Sequence, residues 1–140
     1  MRIISFILAA AAVVGCASST TTPSLRQICQ DGYSEVWSAA RFAVAGMGGT
    51  VVNAVESKGV ILARIEEGDP GSEVELHITI SRLPDHQPGT LEPITVSVRA
   101  TGPGASEPAE GRREELRELE EQFLARVSHR AQCRAPTEAR

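Results

Sequence analysis

The chain has 140 residues, with 14 Lys and Arg against 18 Asp and Glu, and its aromatics are one Trp, one Tyr and three Phe. That length supports one domain with its own core and leaves no room for a second. The formal charge of −4 excludes the basic footprint of a nucleic-acid binder, and 41% hydrophobic with 23% charged residues excludes a wholly disordered or multispanning chain.

Met1-Arg2 opens the chain with a positive charge, and Ile3 to Val14 is apolar apart from Ser5. A helix of about 12 residues spans roughly 18 Å, short of the ~30 Å hydrocarbon core, so the run reads as a signal peptide and not as a membrane anchor. Its end, Val13-Val14-Gly15-Cys16, resembles the lipobox of bacterial lipoproteins, with Val13 and Val14 in place of the commoner Leu and Ala or Ser. The resemblance implies that Cys16 forms a thioether with diacylglycerol and becomes the first residue of the mature chain. Two or three acyl chains make a durable anchor where one binds only marginally. Ala17, in place of the Asp that retains such proteins at the inner membrane, points to the outer membrane.

Residues 16–28 read as the lipidated cysteine and a Ser/Thr-rich tether, with Ser24-Leu25-Arg26-Gln27 in the form of a capping box that starts a short helical turn. Asp31 is a second candidate cap. From Tyr33, the positions Val36, Trp37, Ala40, Val44 and Met47 recur at helical spacing, and the glycines Gly46, Gly48 and Gly49 close the helix. Two β-branched runs, Thr50–Val55 and Val60–Ile65, flank the hairpin turn Glu56-Ser57-Lys58-Gly59. Asp69-Pro70-Gly71 turns the chain into a third strand, in which Val74, Leu76, Ile78 and Ile80 alternate with Glu73, Glu75, His77, Thr79 and Ser81. After a long loop from Leu83 to Pro93, Ile94, Val96, Val98 and Ala100 alternate with Thr95, Ser97, Arg99 and Thr101. Strict alternation means one buried and one wet face. A Gly/Pro/Ser linker leads to a last helix, about 108–131, with Leu116, Leu119, Phe123 and Val127 on its apolar stripe. Its glutamates come first and its arginines last, which suits the helix dipole. Residues 134–140 read as a loose tail.

The expected fold is α+β, a two-layer sandwich in the order α-β-β-β-β-α, with a four-stranded antiparallel sheet carrying two helices on one face. The expected organisation is a signal peptide at 1–15, the tether at 16–28, the domain at 29–133 and the tail at 134–140. Once Cys16 is set aside, an exported chain retains an even pair, Cys29 and Cys133, which suggests a disulfide closing most of the domain.

Constellations that could carry chemistry have plainer readings. Gly46-Met47-Gly48-Gly49 runs from helix into strand, the reverse of a phosphate loop. Glu66-Glu67-Gly68-Asp69 lacks the alternating ligands of a calcium loop. His77, Asp85 and His86 lack zinc-ligand spacing, and no Gly-x-Ser-x-Gly elbow is present. His129 reads as solvated on a charged helix. These features predict no enzyme, cofactor or metal. The wet sheet face remains, and Glu75, His77, Thr79, Ser97 and Arg99 are its candidate interaction residues for a polar, transient partner.

The run Glu35-Val36-Trp37-Ser38-Ala39-Ala40, the helix end Gly46-Met47-Gly48, the hairpin Ser57-Lys58-Gly59-Val60-Ile61 and the segment Ile94-Thr95-Val96-Ser97-Val98-Arg99 resemble small bacterial lipoprotein domains of unknown function. These are similar in layout to the helix-grip domains of a lipoprotein component of the β-barrel assembly machinery. The resemblance spans most of 33–130 and implies the fold and the anchor, with no catalytic residues. The chain departs from that pattern in its cysteine pair and in the Pro-rich loop Leu83 to Pro93. The function expected is a non-enzymatic accessory module at the outer membrane, facing the periplasm, with an envelope protein as partner. The alternative is an envelope protein that binds a small ligand or metal.

Overall fold

The computed structural model describes residues 24–68, 72–83, 92–102 and 110–138. The apolar run and Cys16 lie outside them, as do Asp69-Pro70-Gly71, Asp85 and His86. Among the described residues, no helix is long and apolar enough to cross a membrane.

The elements are β1 (Leu25–Cys29), α1 (Tyr33–Gly46), β2 (Thr50–Val55), β3 (Val60–Glu66), β4 (Glu73–Arg82), β5 (Ile94–Thr101), α2 (Glu110–Ser128) and β6 (Thr137–Glu138). The class is α+β, with two helices and an antiparallel sheet among the described residues. The sheet has six strands in the order β2-β3-β4-β5-β1-β6, which corrects the expected four strands and the expected order. Both additions are terminal. Leu25–Cys29, expected as tether and helical turn, is instead a strand that pairs with β5 from Leu25↔Val98 to Cys29↔Ile94. Thr137 and Glu138, expected in the loose tail, pair with Arg26 and Leu25. The capping-box spacing is a local signal, whereas β1 is specified by partners some 70 residues away in sequence, from Leu25↔Val98 to Cys29↔Ile94. Its inward positions, Leu25, Gln27 and Cys29, do alternate with Arg26 and Ile28, but a glutamine in the apolar row conceals the period.

β2 and β3 form the expected hairpin, closed by a short 3-10 turn at Glu56–Lys58 and by Gly59 at φ 66°. Gly59 has a second constraint beyond its positive φ. Its carbonyl accepts the Ile80 N–H at 2.7 Å, and a Cβ there would collide with the Ile80 carbonyl. Gly48, at φ 72°, ends the first helix as expected. Asp31 does not cap α1. The N-cap is Gly32, with no side-chain hydrogen bond, and the Asp31 carboxylate accepts the Gln132 N–H at 2.8 Å.

α1 packs over β2 and β4, α2 over β5 and β1, and the helices pack on each other. Ala39, Ala40 and Ala43 are buried on α1, and their small side chains let the helices approach closely. Trp37, Phe123 and Leu124 meet the inward rows of β3, β4 and β5 in one continuous core. Each such side chain contributes about 1.5–3 kcal/mol by leaving water.

Two buried polar side chains fasten α2 to the strands beneath it. Gln27 donates from Nε2 to the Leu124 carbonyl at 3.1 Å, and its Oε1 accepts from the Ser128 hydroxyl at 3.0 Å. Glu120 accepts the Ala100 N–H at 2.8 Å. Ala100 lies beyond the last β5 residue paired to β1, Val98, so a carboxylate stands where a strand carbonyl would otherwise be. Burial pushes the Glu120 carboxyl above the ordinary carboxylate range, against the lowering effect of that hydrogen bond.

The Cys29–Cys133 disulfide is formed, at a sequence separation of 104. The two residues also make an antiparallel bridge, flanked by hydrogen bonds from Gln30 N–H to Gln132 O and from Arg134 N–H to Ile28 O, both 2.8 Å. The covalent link therefore joins backbones that are already paired.

Candidate functional site

Alternation on β4 and β5 sends one row of side chains to the helices and the other away from them. Val74, Leu76, Ile78 and Ile80 are buried, while His77, Thr79 and Ser81 are exposed. The antiparallel register sets the outward residues side by side. His77 is opposite Arg99, Thr79 opposite Ser97, and Glu75 opposite Thr101. On the β3 side, Arg64 is opposite Glu75 and Leu62 opposite His77. The five candidate interaction residues, Glu75, His77, Thr79, Ser97 and Arg99, thus share one patch of the face that the helices leave uncovered.

A shallow, open depression of about 480 Å³ lies on this patch, lined by Ser24, His77, Thr79, Ser97, Arg99 and Thr101. Its charges are largely internally balanced. Arg64 reaches Glu73 at 3.1 Å and Glu75 at 3.7 Å, and His77 Nε2 stands 3.6 Å from the other Glu75 oxygen. Such half-exposed pairs contribute little to stability, of order 0–1 kcal/mol. They do fix a mixed array of hydrogen-bond donors and acceptors on a rigid sheet. The face suits a polar partner that lies flat on it, and it offers no enclosed cleft in which a reacting group could be desolvated.

One outward position departs from the expected pattern. Thr95, placed on the wet face by alternation, is buried, and its hydroxyl has no hydrogen-bond partner among the described residues. β1 is the cause, because it brings Ile28 alongside Thr95.

The remaining candidates are dispersed. Glu67 makes an ion pair with Arg112 of α2 at 2.8 Å, so one carboxylate of the acidic group ties the β3–β4 hairpin to the helix layer. His129 is exposed just past α2. Among the described residues, no group of three His, Cys, Asp or Glu side chains is placed to hold a metal ion.

Sequence reasoning missed a second surface, at the β2 edge. α1 and β2 enclose an open, mostly apolar groove of about 520 Å³, lined by Arg41, Phe42, Ala45, Gly49, Thr50 and Val51 among others. The available signal was Phe42, an aromatic two positions off the helical stripe of Val36, Ala40 and Val44 and therefore without a core role. No protein-family model matches the chain, and no curated protein is significantly similar to it in sequence.

Proposed function

We propose that the chain is an exported lipoprotein, acylated on Cys16 and held at the outer membrane facing the periplasm, where it acts as a non-enzymatic interaction module of the envelope. The observation that carries this reading is the division of labour among three cysteines. Cys29 and Cys133 form a bridge, as suits an oxidising compartment. The third, Cys16, stands where the apolar run ends. The outward patch of Glu75, His77, Thr79, Ser97 and Arg99 supports the interaction role, because it is polar, flat and nearly charge-balanced, as transient contacts are.

Mass spectrometry of the mature protein tests the anchor. The expected N-terminal peptide begins at Cys16 and carries diacylglycerol and an amide-linked acyl chain, and Cys16→Ser moves the protein out of its membrane-anchored form. An unmodified N-terminus at another residue overturns the anchor. Photocrosslinking from Thr79 and Ser97 in intact cells tests the module, with one stoichiometric envelope protein expected.

A further inference from the structure

We propose a second docking site, at the β2 edge, that takes an extended peptide segment of another protein as an added strand, with apolar side chains in the groove under α1 and a carboxylate against Arg41. It deepens the reading of the domain as an interaction module and is independent of the membrane anchor.

Three observations converge on this edge. First, β2 ends the sheet, so one side of its main chain has no strand partner among the described residues. Folded proteins usually blunt such an edge with charge, proline or a bulge; Thr50–Val55 has no charge or proline, and its one irregularity is the register shift between Val51 and Asn53. The opposite edge is closed by β6 and the disulfide bridge. Second, the exposed large apolar side chains among the described residues are Phe42 (56% exposed), Val52 (50%) and Val60 (45%). Phe42 and Val52 lie here, on α1 and β2, whereas Val60 alternates to the sheet face away from the helices. Third, the charge at the groove is positive, from Arg41 in its lining and Arg130 over Phe42. Arg41 and Arg130 make no ion pair with any described residue, and the Arg130 guanidinium lies 4.0 Å over the Phe42 ring.

These features select the occupant. An unpaired strand edge beside a helix is the geometry of peptide capture by strand addition, in which main-chain hydrogen bonds give affinity and alternate side-chain pockets give specificity. The arginines add a requirement for negative charge, and bidentate pairing of guanidinium with carboxylate is the strongest form of that contact. A second copy of this chain fits less well. Two-fold pairing of β2 with itself would bring together two register shifts, each between Val51 and Asn53, and two Arg41 side chains. An anionic lipid surface would meet the arginines but leave the β2 main chain unpaired.

The test uses the full-length protein purified from whichever cell fraction holds it, in neutral detergent, with two synthetic hexapeptides as probes. One is Gly-Val-Thr-Val-Glu-Val with a free C-terminus. The other is its control, with Lys for Glu and an amidated end. The expected result is slowed amide exchange confined to the Thr50–Val55 main chain, with the acidic peptide at least tenfold tighter than the control. Arg41→Glu should remove that preference, and Phe42→Ser should weaken binding by a similar factor. Both residues are exposed, so melting temperature and disulfide content should stay unchanged. No slowing, slowing on β4 and β5, or equal binding of both peptides overturns the proposal. So does slowing by phosphatidylglycerol vesicles in place of the peptide. A dimer by sedimentation whose β2 amides are already protected assigns the edge to a second copy and overturns it as well. The anchor is decided by N-terminal mass alone, so the two readings fail separately.

Discussion

Replacing both bridge residues, Cys29→Ala with Cys133→Ala, removes a constraint on the unfolded chain and leaves most of the native contact in place. The closed loop follows from the separation of 104 residues. For a loop of this length, the chain-entropy relation gives about 4.7 kcal/mol at 25 °C. The flanking hydrogen bonds, Gln30 to Gln132 and Arg134 to Ile28, hold the two backbones together without the sulfurs. The double variant should therefore fold to the same structure and lose stability chiefly through a freer unfolded state. A domain of this size has about 5–15 kcal/mol in all, so the loss is a third or more of the total. It should lower the melting temperature by on the order of 20–30 °C. Guanidinium titration followed by fluorescence of the buried Trp37 measures it directly, with oxidised wild type and double variant compared in the same buffer. Cys29→Ala alone should match the double variant, since one missing sulfur opens the same loop. Curves separated by less than about 1 kcal/mol would refute the loop-entropy reasoning and point to an unfolded state already restrained elsewhere.

Three further outcomes are expected. Gly59→Ala should cost about 3 kcal/mol, from the left-handed backbone and the collision with the Ile80 carbonyl, read as a lower denaturation midpoint; an unchanged midpoint would show that the hairpin shifts freely. Thr95→Val should stabilise by about 1 kcal/mol, because it removes a buried hydroxyl that has no partner among the described residues, and a loss of similar size would reveal a hidden hydrogen bond. Glu120 should make stability fall as pH rises. Its native carboxyl holds its proton above the ordinary carboxylate range, so the native state binds more protons than the unfolded chain until the raised value is passed. Glu120→Gln keeps an acceptor for the Ala100 N–H and does not titrate, so its melting temperature should gain on wild type as pH climbs from acid to neutral. Glu120→Ala should lose about 1–3 kcal/mol by leaving that N–H unpaired. Parallel wild-type and Gln profiles would show that ionisation at this site carries no penalty.

What the sequence made legible was the part with local period. The alternation on β4 and β5 and the three- and four-residue spacing on α1 reflect burial of one face, a property each segment carries within itself. The outward patch was readable for the same reason, since residues two apart on paired strands must share a face. β1 was not readable, because its partner strand is remote and Gln27, which bridges to α2, interrupts its apolar row. The burial of Thr95 follows from that omission. The β2 edge was hidden for a different reason. Whether a strand is central or terminal is a property of sheet order, and Thr50–Val55 would read the same in either place. The burial of Glu120 and Gln27 has no sequence signal, because their partners, a strand amide and a helix carbonyl, have no signature in side-chain chemistry.

The place of β1 between β5 and β6, ending at the bridge, determines how the domain carries mechanical load. A pull entering through the chain before Leu25 can peel away only Leu25 to Ile28 before it reaches Cys29. There the covalent link passes it to Cys133, so the tension bypasses α1, the hairpins and the core between the two cysteines. The domain could be tugged at its N-terminal end without unravelling, and reducing the bridge would turn the same pull into a force on every strand in turn.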